Sequence, residues 1–196
     1  MLFRVVNEKA MYDYIEACRI TQGVDPRKEV LKIPAPKEEV EFWIKQIVAN
    51  HSTLRSIKFR MVADAPKSVV MQVIRATKGH PQPEVQSSRP DWNDGKERSS
   101  DPYEQKLFMQ DHTAESFVEM AKQRLCWRTE SKTRDFMREA VDTLKKSCDP
   151  FLVAVGYCCK PYCEWYGFCP ELKGCNYKPK LSEKLIAEYR KDKEKS

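Results

Sequence analysis

Three groups of side chains in this sequence have types and spacings that suit chemistry. Five cysteines, Cys158, Cys159, Cys163, Cys169 and Cys175, fall within "GYCCKPYCEWYGFCPELKGC". Zinc takes four thiolate or imidazole ligands in a tetrahedron, usually delivered as close pairs. Only Cys159 and Cys163 stand close enough to resemble such a knuckle, so Cys159, Cys163, Cys169 and Cys175 form a candidate structural zinc set. Buried thiols without a ligand, or redox chemistry, remain open beside it. The second group is Gln72 with Arg75, three residues apart, and Arg124 with Arg128, four apart. Each spacing puts a pair on one face of a helix. A guanidinium binds phosphate or carboxylate as a planar fork, so such faces suit an anionic ligand, although solvated helix charges share the pattern. The third group, Ser87 and Arg89, lies in a proline-bounded segment, where a serine also serves as a turn residue.

These residues need elements to hold them. "LFRVV" is apolar enough for a short strand, and "NEKAMYDYIEACRI" offers an Asn cap and apolar residues at helical spacing. Val40, Trp43, Ile44, Ile47 and Val48 recur as on one face of an amphipathic helix. "SIKFRMVA" alternates like a half-buried strand ending before "DAP", and a helix is expected from Pro66 to Gly79, carrying Gln72 and Arg75. Residues 79–102 are rich in Pro, Ser, Asp and Gly and predict a long loop, a usual home for function. Phe117, Met120, Ala121 and Leu125, then Phe136, Met137, Ala140, Val141 and Leu144, predict two helices or one bent helix. A short helix carrying Leu181, Leu185 and Tyr189 closes the chain.

The 196 residues suit one domain, here read as 1–156, with a cysteine-rich and basic appendage over 157–196. Charged residues at 33% and hydrophobic ones at 41% describe a globular, charge-rich chain. No leader pattern and no long apolar run is present, so a cytoplasmic protein with no membrane partner is expected. In that compartment cysteines stay reduced. The net charge of +6 hints at nucleic acid, yet the last nineteen residues hold seven Lys/Arg against four Asp/Glu. Half the excess is therefore a lysine-rich tail, which favours a solvated face over a polyanion contact.

Three stretches, in order, resemble the flavin-dependent thymidylate synthases. "HSTLRSIKFRMVADAPKSVVMQVIR" is similar to that family's His-x-Ser strand, Ala-Pro turn and Gln-x-x-Arg helix end, matching His51, Pro66, Gln72 and Arg75. "PEVQSSRPDW" resembles its Glu-x-Ser-x-Arg segment, with Glu84, Ser87 and Arg89, and "QRLCWRTESKTR" its Arg-x-Cys-x-Arg helix, with Arg124, Cys126, Arg128 and Arg134. "GYCC" and "CPELKGC" look like the tail of several members.

The resemblance implies an α+β fold with helices packed on a mostly antiparallel sheet, a homotetramer, and reductive methylation of dUMP to dTMP. FAD would be the cofactor, with NADPH and methylenetetrahydrofolate as co-substrates. Ser87, Arg89, Arg128, Gln72 and Glu84 would bind the pyrimidine nucleotide, Arg124 would polarise the uracil, and His51 and Arg75 would face the flavin. The chain departs from the family where Arg-His-Arg reads Arg75, Ala76, Thr77, where Glu-His reads Arg55, Ser56, and where Pro90 replaces the Tyr after Arg89. Two other readings follow from these departures. One is a same-fold enzyme for another pyrimidine nucleotide, with Trp92 and neighbouring cations of the loop supplying contacts; the other is a non-catalytic nucleic-acid- or metal-binding protein.

Overall fold

A computed structural model describes residues 1–6, 10–22, 39–76, 83–87 and 100–179, with 182, 185 and 186. Arg89, Trp92 and most of the C-terminal helix expected over 181–196 lie outside the described residues. The described chain is α+β: β1 (Leu2–Val5), α1 (Ala10–Thr21), α2 (Glu39–Ala49), a 3-10 turn (Ser52–Ser56), β2 (Phe59–Pro66), α3 (Lys67–Ala76), β3 (Glu84–Val85), β4 (Gln105–His112), α4 (Ala114–Arg124), α5 (Ser131–Lys145), α6 (Pro150–Cys158) and α7 (Tyr162–Tyr166). Four antiparallel strands lie in the order β1-β2-β4-β3. Among the described residues no helix is long and apolar enough to cross a membrane.

The central strand runs further than its pattern predicts. Pairing with β4 continues through Asp64↔Leu107 to Pro66↔Gln105, so "DAP" belongs to the strand. Ala63 and Ala65 face the core, and Pro66 ends the ladder where its missing N–H costs least. β4 itself has an inverted pattern. Lys106, Phe108, Gln110 and His112 point inward and are buried, while Leu107 is exposed and Met109 half-exposed on the outer face. Lys106 keeps its charge satisfied through Glu104 at 2.7 Å, and His112 packs edge-on against Phe117 with ring centres 5.1 Å apart. On the outer face Arg60 meets its cross-strand partner Asp111 through two hydrogen bonds of 2.6 and 2.8 Å.

Helices α4, α5 and α6 each have a local start signal. Thr113 and Ser116 form a reciprocal capping box for α4, Glu130 accepts from the Thr133 N–H at the start of α5, and Asp149 accepts from the N–H groups of Phe151 and Leu152 ahead of Pro150 in α6. α6 buries Phe151, Leu152, Ala154, Val155, Gly156 and Cys158, and is covered by α2, α4, α5 and β1. It continues two residues past the boundary expected at 156. A Cβ on Gly156 would stand 2.9 Å from Lys145 Cγ and 3.1 Å from Leu144 Cβ, so glycine sets how closely α5 and α6 approach.

α2 anchors the aromatic part of the core. Trp43 stands edge-on to Phe151 at 5.2 Å and to Tyr14 at 5.3 Å, whereas Val48, on the same apolar repeat, is 55% exposed. Such edge-to-face pairs add about 0.5–1.5 kcal/mol beyond area burial. Trp43→Ala should therefore lower stability in urea denaturation by about 3–5 kcal/mol. Val48→Ala should stay within about 0.5 kcal/mol of the parent, and similar losses for both would refute this placement of the helix.

Candidate functional site

The packing of α3 against α4 brings Gln72 beside the C-terminal end of α4. There a cavity of about 490 Å³ is lined by Gln72, Gln123, Arg124, Arg128 and Tyr162 among others. Arg124 is the last residue of α4, and the chain then turns through residues 125–130 before α5. Thr129 ties that turn down, donating its hydroxyl to the Gln123 carbonyl at 2.8 Å and its N–H to the Cys126 carbonyl at 3.0 Å. Arg134 reaches back from α5 to the carbonyls of Trp127 and Thr129 at 3.1 and 3.2 Å, its guanidinium 4.4 Å from the centre of the Trp127 ring. Arg134 thus holds the turn that presents Arg128.

Arg124 is the distinctive group here. It is half-buried, burial holds its guanidinium pKa below the usual arginine value, and its Nε is buried with no hydrogen-bond partner among the described residues. An arginine so placed carries an unmet electrostatic demand that an anion or a carbonyl oxygen would satisfy. Arg128 is exposed beside it, and Gln72 adds an amide that can both donate and accept. Tyr162 is oriented from the far wall: Gln123 donates to its oxygen at 3.4 Å, and the Tyr162 hydroxyl donates to Glu119 at 3.2 Å. Burial, first of all, raises the Tyr162 pKa, so its hydroxyl stays protonated. Glu130 and Glu171 also line the cavity, so it offers two guanidiniums, two carboxylates and neutral hydrogen-bonding groups to a polar ligand.

A second cavity, of about 600 Å³, adjoins the first through Cys126, Arg128, Tyr162, Pro170 and Glu171. Cys126, Cys159, Cys163, Cys169 and Cys175 all line it. All eight cysteines are free thiols. Cys158 and Cys159 belong to the apolar core, where burial pushes the Cys158 thiol up to about 11 and the Cys159 thiol higher still. Burial also raises Cys126 and Cys163, with a further contribution from neighbouring thiols: Cys169 and Cys175 act on Cys126, and Cys126 and Cys169 act on Cys163. Among the described residues, no three His, Cys, Asp or Glu side chains are grouped so as to hold a metal ion.

The remaining sequence candidates lie elsewhere. His51 is exposed at the start of the 3-10 turn, its carbonyl accepting from the Leu54 N–H at 3.0 Å. Arg75 is exposed in the last turn of α3. Glu84 is exposed on β3 and Ser87 follows that strand. None of these four lines either cavity. Ala76 is 2% exposed and part of the core, so the position after Arg75 cannot present a side chain to a cofactor. Gln123 and Tyr162 went unnoticed in the sequence; Gln123 had only its adjacency to Arg124 to mark it, and Tyr162 nothing.

Comparison with protein-family models and with curated proteins gives no match to this chain.

The unmet demand of Arg124 has a consequence for stability. Replacing it with Met removes a half-buried cation and keeps the packing stem, so Arg124→Met should raise urea stability by about 0.5–2 kcal/mol. A loss of more than about 1 kcal/mol would mean that the guanidinium has a structural partner and is not held for a ligand.

Proposed function

We propose that this protein is an enzyme acting on a pyrimidine nucleoside monophosphate bound in the cavity between α3 and the end of α4. Conversion of dUMP to dTMP, the reaction that the resemblance implies, is its proposed activity. The observation that carries this reading is the meeting of Gln72, Arg124 and Arg128 in one cavity, from stretches about fifty residues apart in sequence. Those are three of the five residues assigned by resemblance to the nucleotide or to the uracil that the structure describes. A volume of about 490 Å³ lies within the range of about 300–1,000 Å³ usual for small-molecule sites.

In this reading Arg128, exposed at the rim, takes the phosphate, and the half-buried Arg124 faces the base. A guanidinium there stabilises negative charge that develops on the pyrimidine carbonyl when carbon is added at the ring, and it does so from a site already partly dry. Gln72 reads the amide edge of the uracil with one donor and one acceptor. A homotetramer, with His51 and Arg75 serving a neighbouring subunit, is the assembly that the resemblance implies. The position of Ala76 in the core favours a second reading, in which the nucleotide pocket is retained and another cofactor arrangement or pyrimidine is used.

Binding of dUMP, followed by calorimetry, tests the pocket. Arg124→Ala and Arg128→Ala should each weaken binding by about 10- to 100-fold, the loss of one charge-assisted hydrogen bond. Arg190→Ala, in the basic tail, should leave it unchanged. Equal effects of all three would sink the assignment. Visible absorption after incubation with FAD and dUMP and removal of unbound ligand then separates the two readings: a retained flavin band supports the synthase, and dUMP binding without a band supports the second.

A further inference from the structure

Cations outnumber acids around the cavity of about 600 Å³: Arg128, Arg138, Lys145, Lys160 and Lys178 line it against three carboxylates. Arg128, Arg138, Lys145 and Lys160 are exposed. Arg138 donates to Asp135 at 3.1 Å, an exposed ion pair that costs little to exchange for another anion. Charge of this kind by itself describes only a solvated face. Its spread is more informative. Arg138, Asp142 and Lys145 recur along one face of α5, and the two cations stand two helical turns apart, about 10 Å along the axis. That separation suits a run of phosphates better than a single one.

Aromatic rings set this cavity apart from an ordinary charged surface. Trp127, Tyr157 and Tyr177 line it and are 65%, 54% and 62% exposed, so their faces are left to solvent rather than spent on the core. Each ring stands beside a cation. The guanidiniums of Arg134 and Arg138 lie 4.4 and 5.5 Å from the centre of the Trp127 ring, Lys145 Nζ lies 5.4 Å from that of Tyr157, and Lys178 Nζ lies 5.3 Å from that of Tyr177. The rings come from three separate stretches: the turn after α4, the end of α6 and the segment after α7. Tertiary packing has therefore gathered three ring and cation pairs around one hollow. A flat face for a base next to a cation for its phosphate is the repeating unit of sites that bind unpaired nucleotides.

We propose that this cavity is a groove for single-stranded nucleic acid, in which unpaired bases stack on Trp127, Tyr157 and Tyr177 and the neighbouring cations take the phosphates. Binding of this kind tolerates any sequence, because every base has a π-face. It depends on salt, because each neutralised phosphate releases counterions. A duplex keeps its bases stacked on one another and offers only its backbone, and an acidic polypeptide has charge without flat rings. Neither would use the three aromatic faces. The groove goes beyond the mononucleotide site, which it adjoins through Arg128 and Tyr162, and does not depend on it.

The test is fluorescence anisotropy of the full chain with labelled oligothymidylate of about twelve nucleotides, at several salt concentrations. Trp127→Ala, Tyr157→Ala and Tyr177→Ala should each weaken binding by about 5- to 100-fold, the loss of one stacked base. Lys160→Ala should weaken it less and lower the slope of log Kd against log salt by about 0.7. Tyr103 serves as the control ring: it is 56% exposed with Lys132 Nζ 3.5 Å from its centre, but it does not line the cavity, so Tyr103→Ala should bind like the parent. Changing Lys191, Lys193 and Lys195 of the basic tail together to Gln should also leave the ring effects in place. Photocrosslinking of the unsubstituted protein to a bromodeoxyuridine oligonucleotide covers the case of variants that do not fold, and should mark Trp127, Tyr157 or Tyr177. No binding by the parent, duplex binding as tight as single-strand binding, or displacement by polyglutamate as effective as by unlabelled strand would overturn the proposal. Ring variants that bind like the parent, or crosslinks confined to the tail, would do the same. Binding is read without dUMP, and the three rings lie outside the nucleotide cavity, so failure here leaves the tests of Arg124 and Arg128 standing.

Discussion

The rest of this structure depends on the burial of α6. "PFLVAVGYC" has almost no polar side, so water must be kept from most of it, and only surrounding elements can do that. α2 supplies Trp43 against Phe151, α5 lies close because residue 156 is glycine, and α4 and β1 complete the cover. Asp149 and Pro150 define where the helix begins, and its end at Cys158 determines where the cysteine segment emerges. The α4–α5 turn, with Cys126, lines one cavity with the start of that segment.

Function and scaffold therefore meet at one place. The end of α4 and the turn after it contribute to two adjoining cavities, one with the buried Arg124 Nε that has no hydrogen-bond partner among the described residues and one lined by thiols. Arg134 and Thr129 support the turn through backbone carbonyls, so the orientation of Arg128 depends on hydrogen bonds that its own side chain does not make. Preorganisation of this kind lets a cation act without first being reoriented.

Much of the helical scaffold was legible because its signals are local. The repeat of Phe136, Met137, Ala140, Val141 and Leu144 marks α5, and every one of these residues is buried. β4 was illegible for an equally physical reason. Its inward residues include Lys106, Gln110 and His112, and its outward ones Leu107 and Met109, so the alternation that identifies a half-buried strand points the wrong way. The ladder with β2, a non-local interaction, outweighs that pattern. α6 was missed because an apolar run with no period does not distinguish a buried helix from a strand.

By itself the sequence determined the chemical types and the local geometry: where helices are capped, that Arg124 and Arg128 share a stretch, and that cysteines crowd the end of the chain. Those properties depend on a residue and its neighbours within about one or two helical turns. Only the tertiary structure decided which of these groups meet. Gln72 reaches the arginines because α3 packs on α4, while His51, Arg75, Glu84 and Ser87 do not join them. Cys126, from a distant stretch, lines one cavity with Cys159 and the tail cysteines, and Cys159 also belongs to the core. Spacing along a chain measures separation in sequence; the burial of α6 is what sets separation in space.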